Sequence, residues 1–416
     1  MEKSKLIKKI DNQIYFRIFL ALLWTKEILL NYLRGVLLKI PGLSVASDYI
    51  IPVILFLMFL LSYKTIAERL MGEDFIFVMG CVLVYVANFL FFKRNRDFFR
   101  IEWVEFIIGA LPFYFVGVAL KKDDGDSVML LLYRISCVSV ISFCAYILFV
   151  NRMDDFTMRN GDMNSAYNIL PHACMIFYYM IKGFKWHRLV IFLMSALALL
   201  MMGTRGAVLC LLIFIVLSSA MTIRFKRPIV LLVMVVVCLL FVLFHGLTDW
   251  LIELAYSICE SLGLSTRVFD KLMSGDFAVS GSRTYLRERV RYYLAAYPLI
   301  GLGVYGDRAV SGGQYVHNLL LEIYGQHGVL IGTVMIAALA VIFYRGVRTV
   351  FRNGDRNAQL IVLLLVSYCF KLLVSSSYLR EPFFWLLLGY LVAIHRECRV
   401  ANMANRESMK KSKLIR

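Results

Sequence analysis

Three arginines and one histidine in the second half of the sequence have the types and spacing needed to hold an anionic substrate and move a proton. Arg283, Arg287 and Arg291 are spaced i, i+4 and i+8, so a helix places them on one face. Guanidinium groups and the amides of a helix N-terminus both bind phosphate well. His317 follows in the sequence, and a neutral histidine can take a proton from a hydroxyl group. These residues favour a site that binds an anion beside a proton acceptor.

Both features also have a simpler interpretation. The arginine segment has an apolar face, made by Leu286, Val290, Tyr293 and Leu294. It can therefore lie on anionic lipid headgroups as an amphipathic helix, without binding a substrate. The histidine can equally be a hydrogen-bonded structural residue. The residues alone leave both interpretations open.

A further arginine lies at a turn that the membrane forces on the chain. Residues 189–223 are apolar except between Gly203 and Gly206. A single straight helix of that length would be about 52 Å long, against a bilayer core of about 30 Å. The chain must therefore turn, and glycine permits a tight turn. Arg205 then lies at the tip of the turn, where it either marks the interface or faces an anionic headgroup.

The composition indicates an all-α polytopic membrane protein. The chain has 416 residues, 60% of them hydrophobic, and its mean hydropathy is +0.73. A soluble protein of this size could not bury so much apolar surface. Apolar runs of about 18 to 22 residues recur, which suits helices that cross a bilayer. A transmembrane β-barrel would instead show alternating segments of about ten residues.

About twelve membrane spans are predicted. They cover residues 14–36, 47–64, 75–92, 104–121, 127–150, 165–183, 189–204, 206–223, 228–246, 323–345, 358–376 and 383–396. Residues 1–246 would form an N-terminal bundle of about nine spans, and residues 247–316 one long extracytoplasmic loop with amphipathic helices. Residues 317–396 would form the C-terminal helices, followed by a basic cytoplasmic tail over 397–416 that we expect to be disordered.

The charge distribution predicts the orientation of these spans. The chain has 46 Lys and Arg against 28 Asp and Glu, and basic loops stay on the cytoplasmic side. Residues 182–188, 224–227, 345–356 and the tail all fall on one side, so both termini are expected in the cytoplasm. Residues 93–100 fall on the other side, which indicates either an error in the span count or a separate role for that loop. The excess charge suits anionic lipid, and we expect no nucleic-acid partner.

The ordered set of motifs resembles the O-antigen ligase and Wzy-type polysaccharide polymerase superfamily over residues of about 150–390. Three elements carry the resemblance: a Ser/Thr-Arg-Gly-Ala-like turn, an Arg ahead of Pro-x-x-Gly-x-Gly, and His-[Asn/Ser/Gln]-x9-Gly. In this sequence they are Thr204, Arg205, Gly206 and Ala207; Arg283, Pro298, Gly301 and Gly303; and His317, Asn318 and Gly328. Outer-loop residues of the family correspond to Arg159 and Asn164, and "SSYLREPFFWLLLGY" resembles its last outer loop and final span. The sequence departs from the family at Ile331 and at Arg287, where an aromatic residue is common.

The resemblance implies a GT-C-type fold and glycan transfer on the outer face of the bacterial plasma membrane. The implied donor is an undecaprenyl-diphosphate-linked oligosaccharide, and the acceptor is a glycan or lipid A core. His317 would accept the proton of the acceptor hydroxyl as the sugar C1 is attacked with inversion. The resemblance implies diphosphate binding by Arg205 and Arg283, and Arg287 is expected to assist them through its own charge. Asn318, Arg159 and Asn164 are expected to position the sugar or acceptor, and Gly301, Gly303 and Gly328 to form the loop. Since arginines can neutralise the leaving group, no metal and no cofactor are expected.

Three functions remain open from the sequence. The first is a Wzy-type polymerase of O-antigen or capsular polysaccharide, working beside a flippase and a chain-length regulator. The second is a ligase that passes finished glycan to lipid A core or another acceptor. The third is a polysaccharide transporter or flippase, since Arg134 and Lys371 fall within predicted spans. The transporter is less favoured because duplicated halves are not visible and the polar residues gather in one outer loop.

Overall fold

A computed structural model describes residues 2–26, 28, 44–120, 125–145, 163–202, 204–223, 253–254, 256–257, 260–261, 281–352 and 358–414. These residues are helical or in turns, without a strand among them. The helices are α1 (Glu2–Thr25), α2 (Ser44–Ala67), α3 (Gly72–Phe91), α4 (Arg96–Trp103), α5 (Phe113–Ala119), α6 (Gly125–Ala145), α7 (Met163–Lys182), α8 (Trp186–Met201), α9 (Arg205–Ile223), α10 (Gly281–Ala296), α11 (Gly306–Val310), α12 (Leu319–Arg352), α13 (Ala358–Leu364), α14 (Lys371–Val374) and α15 (Pro382–Leu414). A 3-10 turn over Lys93–Asn95 precedes α4, and π-helical segments over Val104–Ile108 and Leu365–Phe370 follow α4 and α13.

The apolar helices support the predicted class of polytopic membrane protein. Within the described part of the chain, four helical segments are long and apolar enough to cross a membrane: Gly72–Phe91, Lys93–Ala119, Ser127–Ala145 and Leu319–Thr349. The predicted span at 228–246 lies outside the described residues. The total of twelve spans, the GT-C architecture and the predicted domain order therefore stay predictions.

The chain divides into two compact units. The first contains residues 1–63 and 127–279, and the second contains residues 64–126 and 280–416. In the first unit, α8 and α9 both pack against α7. His172 of α7 is buried, and its Nδ1 lies 3.0 Å from the Ser136 hydroxyl. This histidine has the structural role that an arbitrary histidine is expected to have.

The second unit holds a long helix that is broken near its start. The sequence predicts a span at 323–345, whereas α12 runs from Leu319 to Arg352 and has non-helical backbone at Gly328, with φ 73° and ψ 177°. The part after the break is about 36 Å long at 1.5 Å per residue, which alone crosses a bilayer core of about 30 Å. Leu330 and Val334 in that part are 62% and 68% exposed, as expected of side chains that face lipid. The short part before the break is free to carry polar side chains.

Helices α5 and α15 approach each other closely because each has a glycine at the contact. A Cβ atom on Gly117 would lie 1.9 Å from the carbonyl oxygen of Leu386, and one on Gly389 would lie 2.1 Å from that of Tyr114. Small residues allow such close packing of helices in membranes. Helices α12 and α13 also pack against α15.

The tail after the last predicted span differs from the expectation of disorder. Helix α15 continues from Pro382 through residue 396 to Leu414. The tail is basic, but it contains neither glycine nor proline and is rich in residues with good helix propensity. Charge alone therefore gave the wrong prediction for this segment.

Substituting Gly389 tests the close approach of α5 and α15. Gly389→Ala should destabilise the protein by about 1–3 kcal/mol, because the added methyl overpacks the contact. Gly80→Ala is the matched control, since an added Cβ there meets nothing within 4 Å and alanine is the better helix former. Thermal unfolding in nanodiscs should show a lower Tm for Gly389→Ala and an unchanged or higher Tm for Gly80→Ala. Equal Tm values for the two variants would contradict the packing described above.

Candidate functional site

The predicted site residues fall in both units. Arg283, Arg287, His317 and Asn318 belong to the second unit, and all four side chains are described there. Arg159 lies outside the described residues, and so do the side chains of Asn164 in α7 and Arg205 in α9, although both lie in described helices.

The predicted turn between two apolar helices is present in the first unit. Helix α8 ends at Met201 and α9 begins at Arg205. Thr204 is buried, and its carbonyl accepts a hydrogen bond of 3.2 Å from the amide of Ala207. Arg205 is therefore the first residue of a helix, where its positive charge opposes the helix dipole. An anion bound at that end would relieve this repulsion.

The arginine segment forms the predicted amphipathic helix. Helix α10 contains Arg283, Arg287 and Arg291, and Leu286 and Val290 form its buried face. Val290 packs against Val310 and Val316, which belong to the segment that leads to His317. The apolar face of α10 is thus covered by the protein itself, which argues against a helix that only rests on lipid.

Two of the predicted residues are attached to the end of α14. Arg283 donates a hydrogen bond of 2.7 Å from Nη1 to the carbonyl of Val374. Asn318 donates one of 3.3 Å from Nδ2 to the carbonyl of Leu373. The Asn318 Oδ1 accepts the amide of Leu321 at 2.9 Å, which is the geometry of an N-cap. Both groups of the Asn318 amide are therefore used by backbone, so this side chain fixes the entry to α12.

His317 is a neutral base beside positive charge. Its ring is half-buried and lies 4.2 Å, between centroids, from the ring of Tyr315. Burial, together with the smaller effect of the positive charges of Arg283 and Arg287, lowers the pKa of His317 to about 4. The imidazole is consequently uncharged near pH 7 and able to accept a proton.

Two buried nitrogen atoms at this place have hydrogen-bonding capacity that the described residues do not use. They are Nδ1 of His317 and Nε of Arg287. Buried polar atoms in native proteins are usually paired. An unused donor beside an unused imidazole nitrogen suits contact with a phosphate or hydroxyl group.

The break in α12 is stabilised by the loop that precedes it. The amides of Leu302 and Gly303 each donate a hydrogen bond of 2.8 Å, to the carbonyls of Gly325 and Gln326 respectively. The amide of residue 329, just after the break, donates to the carbonyl of Pro298 at 2.7 Å. Backbone groups freed by a break in a membrane helix need such partners. The Pro-x-x-Gly-x-Gly motif and the helix that follows His317 thus form one hydrogen-bonded structure.

Glycine is required at this junction by both backbone angle and space. Gly301, Gly303 and Gly328 have φ of 73°, 78° and 73°, in the left-handed region that favours glycine. A Cβ on Gly301 would lie 2.4 Å from the amide nitrogen of Gly328, and one on Gly328 would lie 2.2 Å from the carbonyl of Leu299. The three glycines predicted to shape the loop therefore allow two backbone segments to touch.

The basic stretch at 93–100 borders the same loop. Asn95 is buried and donates hydrogen bonds of 2.8 and 2.9 Å from Nδ2 to the carbonyls of Leu302 and Val304. The amide of Val304 donates to the Oδ1 of Asn88 at 2.9 Å. This stretch therefore packs against the loop that leads to His317.

A buried charged network lies beneath the loop and was missed from the sequence. Arg308 has no exposed surface. Its Nε lies 3.2 Å from Oε1 of Glu102, and its Nη1 lies 3.9 Å from Oδ1 of Asp307. Its Nη2 donates to Oγ of Ser377 at 3.2 Å, and that hydroxyl donates to Oε1 of Glu322. Glu322 follows His317 within an apolar segment, and this placement of an acidic residue was the sequence signal for a buried charged network.

Two polar residues within predicted spans have partners here. The Nε2 of His327 lies 3.2 Å from the hydroxyl of Tyr378, which belongs to the turn before α15. Lys371 forms an ion pair of 2.7 Å with Glu381. Among the described residues, Arg134 is exposed and its role stays undecided.

Comparison with known families supports the resemblance seen in the motifs. Residues 189–337 match a family model described as O-antigen ligase. No match was found among curated proteins. The matched range contains Arg205, Arg283 and His317, together with the three loop glycines. The predicted resemblance to the O-antigen ligase and Wzy superfamily is therefore confirmed for residues 189–337.

The junction at Gly328 can be tested by comparing two glycines with left-handed backbone. Gly328→Ala adds both backbone strain and a clash with the carbonyl of Leu299, whereas Gly312→Ala adds strain alone, because φ is 67° and nothing lies within 4 Å. We expect a loss of about 1–2 kcal/mol for Gly312→Ala and of at least about 3 kcal/mol for Gly328→Ala. Tm values measured in nanodiscs should rank accordingly. A Gly328→Ala protein as stable as Gly312→Ala would refute the tight junction.

Proposed function

Residues 189–337 match a family model described as O-antigen ligase, and we propose that the protein is a membrane enzyme. It transfers glycan from an undecaprenyl-diphosphate-linked donor to a sugar hydroxyl. The family match supports glycan transfer of the O-antigen ligase or polymerase type. The donor, the reaction geometry and the residue roles are the proposal. The observation that supports them is the neutral imidazole of His317 beside Arg283 and Arg287 of α10. His317 follows a loop that is held by glycine junctions.

His317 acts as the base in this reaction. The hydroxyl of the acceptor attacks C1 of the donor sugar, and its proton passes to the imidazole. The bond between C1 and the diphosphate oxygen breaks in the same displacement, which inverts the configuration at C1. A general base of this kind contributes roughly 10²- to 10⁴-fold to the rate.

Arg283 and Arg287 receive the charge of the leaving diphosphate. Their charges already act on His317, as the lowered pKa indicates. Arg283 is anchored through Nη1 to the carbonyl of Val374, so its position is fixed before the substrate arrives. Fixed positive charge in a site shielded from water stabilises a developing anion strongly.

Diphosphate binding by Arg205 remains a proposal that rests on the family resemblance. Arg205 lies within the matched family range and begins α9, where an anion would meet both a guanidinium and helix amides. Arg159 and Asn164 remain predictions for sugar or acceptor positioning. Asn318 is better assigned to orienting His317, since its amide already bonds to backbone at both ends.

The orientation proposed for the site is extracytoplasmic. Asp74 near the start of α3 pairs with Arg396 at 2.8 Å, and Asn95 just after α3 contacts the glycine loop. A helix of this length separates the two ends by about 30 Å. If the basic tail is cytoplasmic, the site then lies on the outer side of a bacterial plasma membrane.

Transfer by the full-length protein in vesicles tests the function. We expect wild type to convert an undecaprenyl-diphosphate-linked glycan, and His317→Ala to lose at least about 100-fold of the rate. His187→Ala is the matched control, because His187 is exposed at the start of α8 in the other unit. A ladder of products on a gel indicates a polymerase, and a single adduct on lipid A core indicates a ligase. Normal product from His317→Ala would remove this residue from the chemistry.

The pH dependence of transfer tests the electrostatic coupling. Since the folded pKa of His317 is about 4, the base form persists above that pH and the rate falls as pH drops through about 4. Arg287→Gln removes a positive neighbour, so the pKa rises and the acid limb moves to higher pH, toward the ordinary value of about 6.5. Arg287→Lys keeps the charge and should keep the limb in place. Identical acid limbs for wild type and Arg287→Gln would show that Arg287 does not act on His317.

A further inference from the structure

His317 has a backbone conformation that is uncommon for residues other than glycine. Its φ is 54°, in the left-handed region that only a few per cent of non-glycine residues adopt. Such a conformation persists only where the surrounding structure holds it. On the C-terminal side, the Asn318 cap supplies part of that restraint. The restraint on the N-terminal side comes from residues that no motif identified.

Asp307 holds the peptide that precedes His317. Its Oδ2 accepts the amide of Val316 at 3.3 Å, and its Oδ1 accepts Nε2 of Gln326 at 2.9 Å. Asp307 and Val316 have no exposed surface, and Gln326 is 1% exposed. One buried carboxylate thus connects the peptide beside the base to α12, just before its break. Hydrogen bonds to a charged acceptor are stronger than neutral ones.

Arg308 fixes the carboxylate and supports an aromatic ring. Its guanidinium lies beside Oδ1 of Asp307 and is held from the other side by Glu102. Its Cζ lies 4.5 Å from the ring centroid of Tyr305 and 5.9 Å from that of Tyr315. A planar guanidinium packs well against aromatic faces.

Tyr315 links this network to the imidazole. Its ring contacts the ring of His317 at 4.2 Å between centroids. The base is thus restrained twice, through its backbone by Asp307 and through its ring by Arg308 and Tyr315.

We infer that Asp307 and Arg308 are positioning residues for His317, and that Tyr315 sets the orientation of the imidazole toward the acceptor hydroxyl. This inference rests on the proposed function, because the orientation of the ring matters only if His317 accepts a proton. It adds to that function a set of residues which touch neither the diphosphate nor the sugar. Displacing a catalytic group by about 1 Å can lower a rate on the order of 10²-fold.

Three variants and one control separate positioning from folding. Tyr315→Phe keeps the aromatic ring and Tyr315→Ala removes it, while Asp307→Asn keeps the shape of the side chain but loses its charge. Tyr344→Ala is the matched control for removal of a tyrosine ring, because Tyr344 is 62% exposed on the distant part of α12. The measurements are kcat, donor KM and the acid limb of transfer by full-length protein in vesicles, with Tm in nanodiscs as the folding control.

We expect Tyr315→Phe and Tyr344→Ala to behave as wild type. Asp307→Asn and Tyr315→Ala should lower kcat by about 10- to 100-fold and leave donor KM within about twofold, because the arginines still bind the diphosphate. Tyr315→Ala should also move the acid limb to higher pH, because water then reaches the imidazole. If Asp307→Asn fails to fold, the partly exposed Tyr315 supplies the decisive comparison.

Three results would overturn the inference, and they are distinguishable. Wild-type kcat in Tyr315→Ala and Asp307→Asn, with His317→Ala inactive, removes the positioning role and leaves the proposed function intact. Equal losses in kcat, donor affinity and Tm, with an unmoved acid limb, would show a role in folding only. Absence of transfer by wild-type protein overturns the proposed function together with the inference.

Discussion

A helix that crosses a membrane can be interrupted only where its freed backbone groups find partners, and α12 meets this condition at Gly328. The amides of residues 302 and 303 and the carbonyl of Pro298 satisfy the groups on either side of the break. Because the same loop leads on to α11 and His317, the break helps to determine where His317 lies. The glycine loop, the arginine helix and the entry to α12 all follow from this single junction.

Charge inside the second unit is arranged around one buried guanidinium. Arg308 faces Glu102 and Asp307 directly, and it reaches Glu322 through Ser377. Removing charged groups from water is costly, and a buried ion pair often adds little net stability compared with apolar residues. The network is better understood as a specific connector, since its members come from α4, α11, α12 and the segment before α15. An apolar core would fill the same volume without these directional contacts.

Sequence reasoning succeeded where length or periodicity imposed a single solution. The apolar stretch 189–223 was too long for one span, so the turn before Arg205 followed from geometry. The i, i+4 spacing of the arginines gave α10 and its buried face. The glycines of the loop were identified because the Pro-x-x-Gly-x-Gly motif precedes His317 in the sequence. These signals lie in short stretches of sequence, and each corresponds to a feature of the structure.

Other features depend on contacts that the sequence does not display. Glu102 lies about 200 residues before Arg308, and Glu322 reaches Arg308 through Ser377, so their convergence is a property of the tertiary fold. The left-handed backbone at His317 is uncommon for a residue other than glycine and has no sequence signature. Asn318 was assigned to orientation or sugar binding, although asparagine before an apolar helix is also a common N-cap. The tail was judged by charge and not by its helix propensity, so its continuation to Leu414 was missed.

The division of the chain has a consequence for biosynthesis. The second unit combines residues 64–126 with residues 280–416, and the intervening segment belongs mainly to the first unit. The ribosome therefore synthesises Asn88 of α3 and Asn95 long before residues 302–304. The side chains of both asparagines form hydrogen bonds with backbone groups of that later segment. Asp74 likewise waits for Arg396 near the end of translation. Helix α3 and the turn after it therefore reach the membrane before their partners, and Asp74, Asn88 and Asn95 lack these contacts until the later segments are inserted.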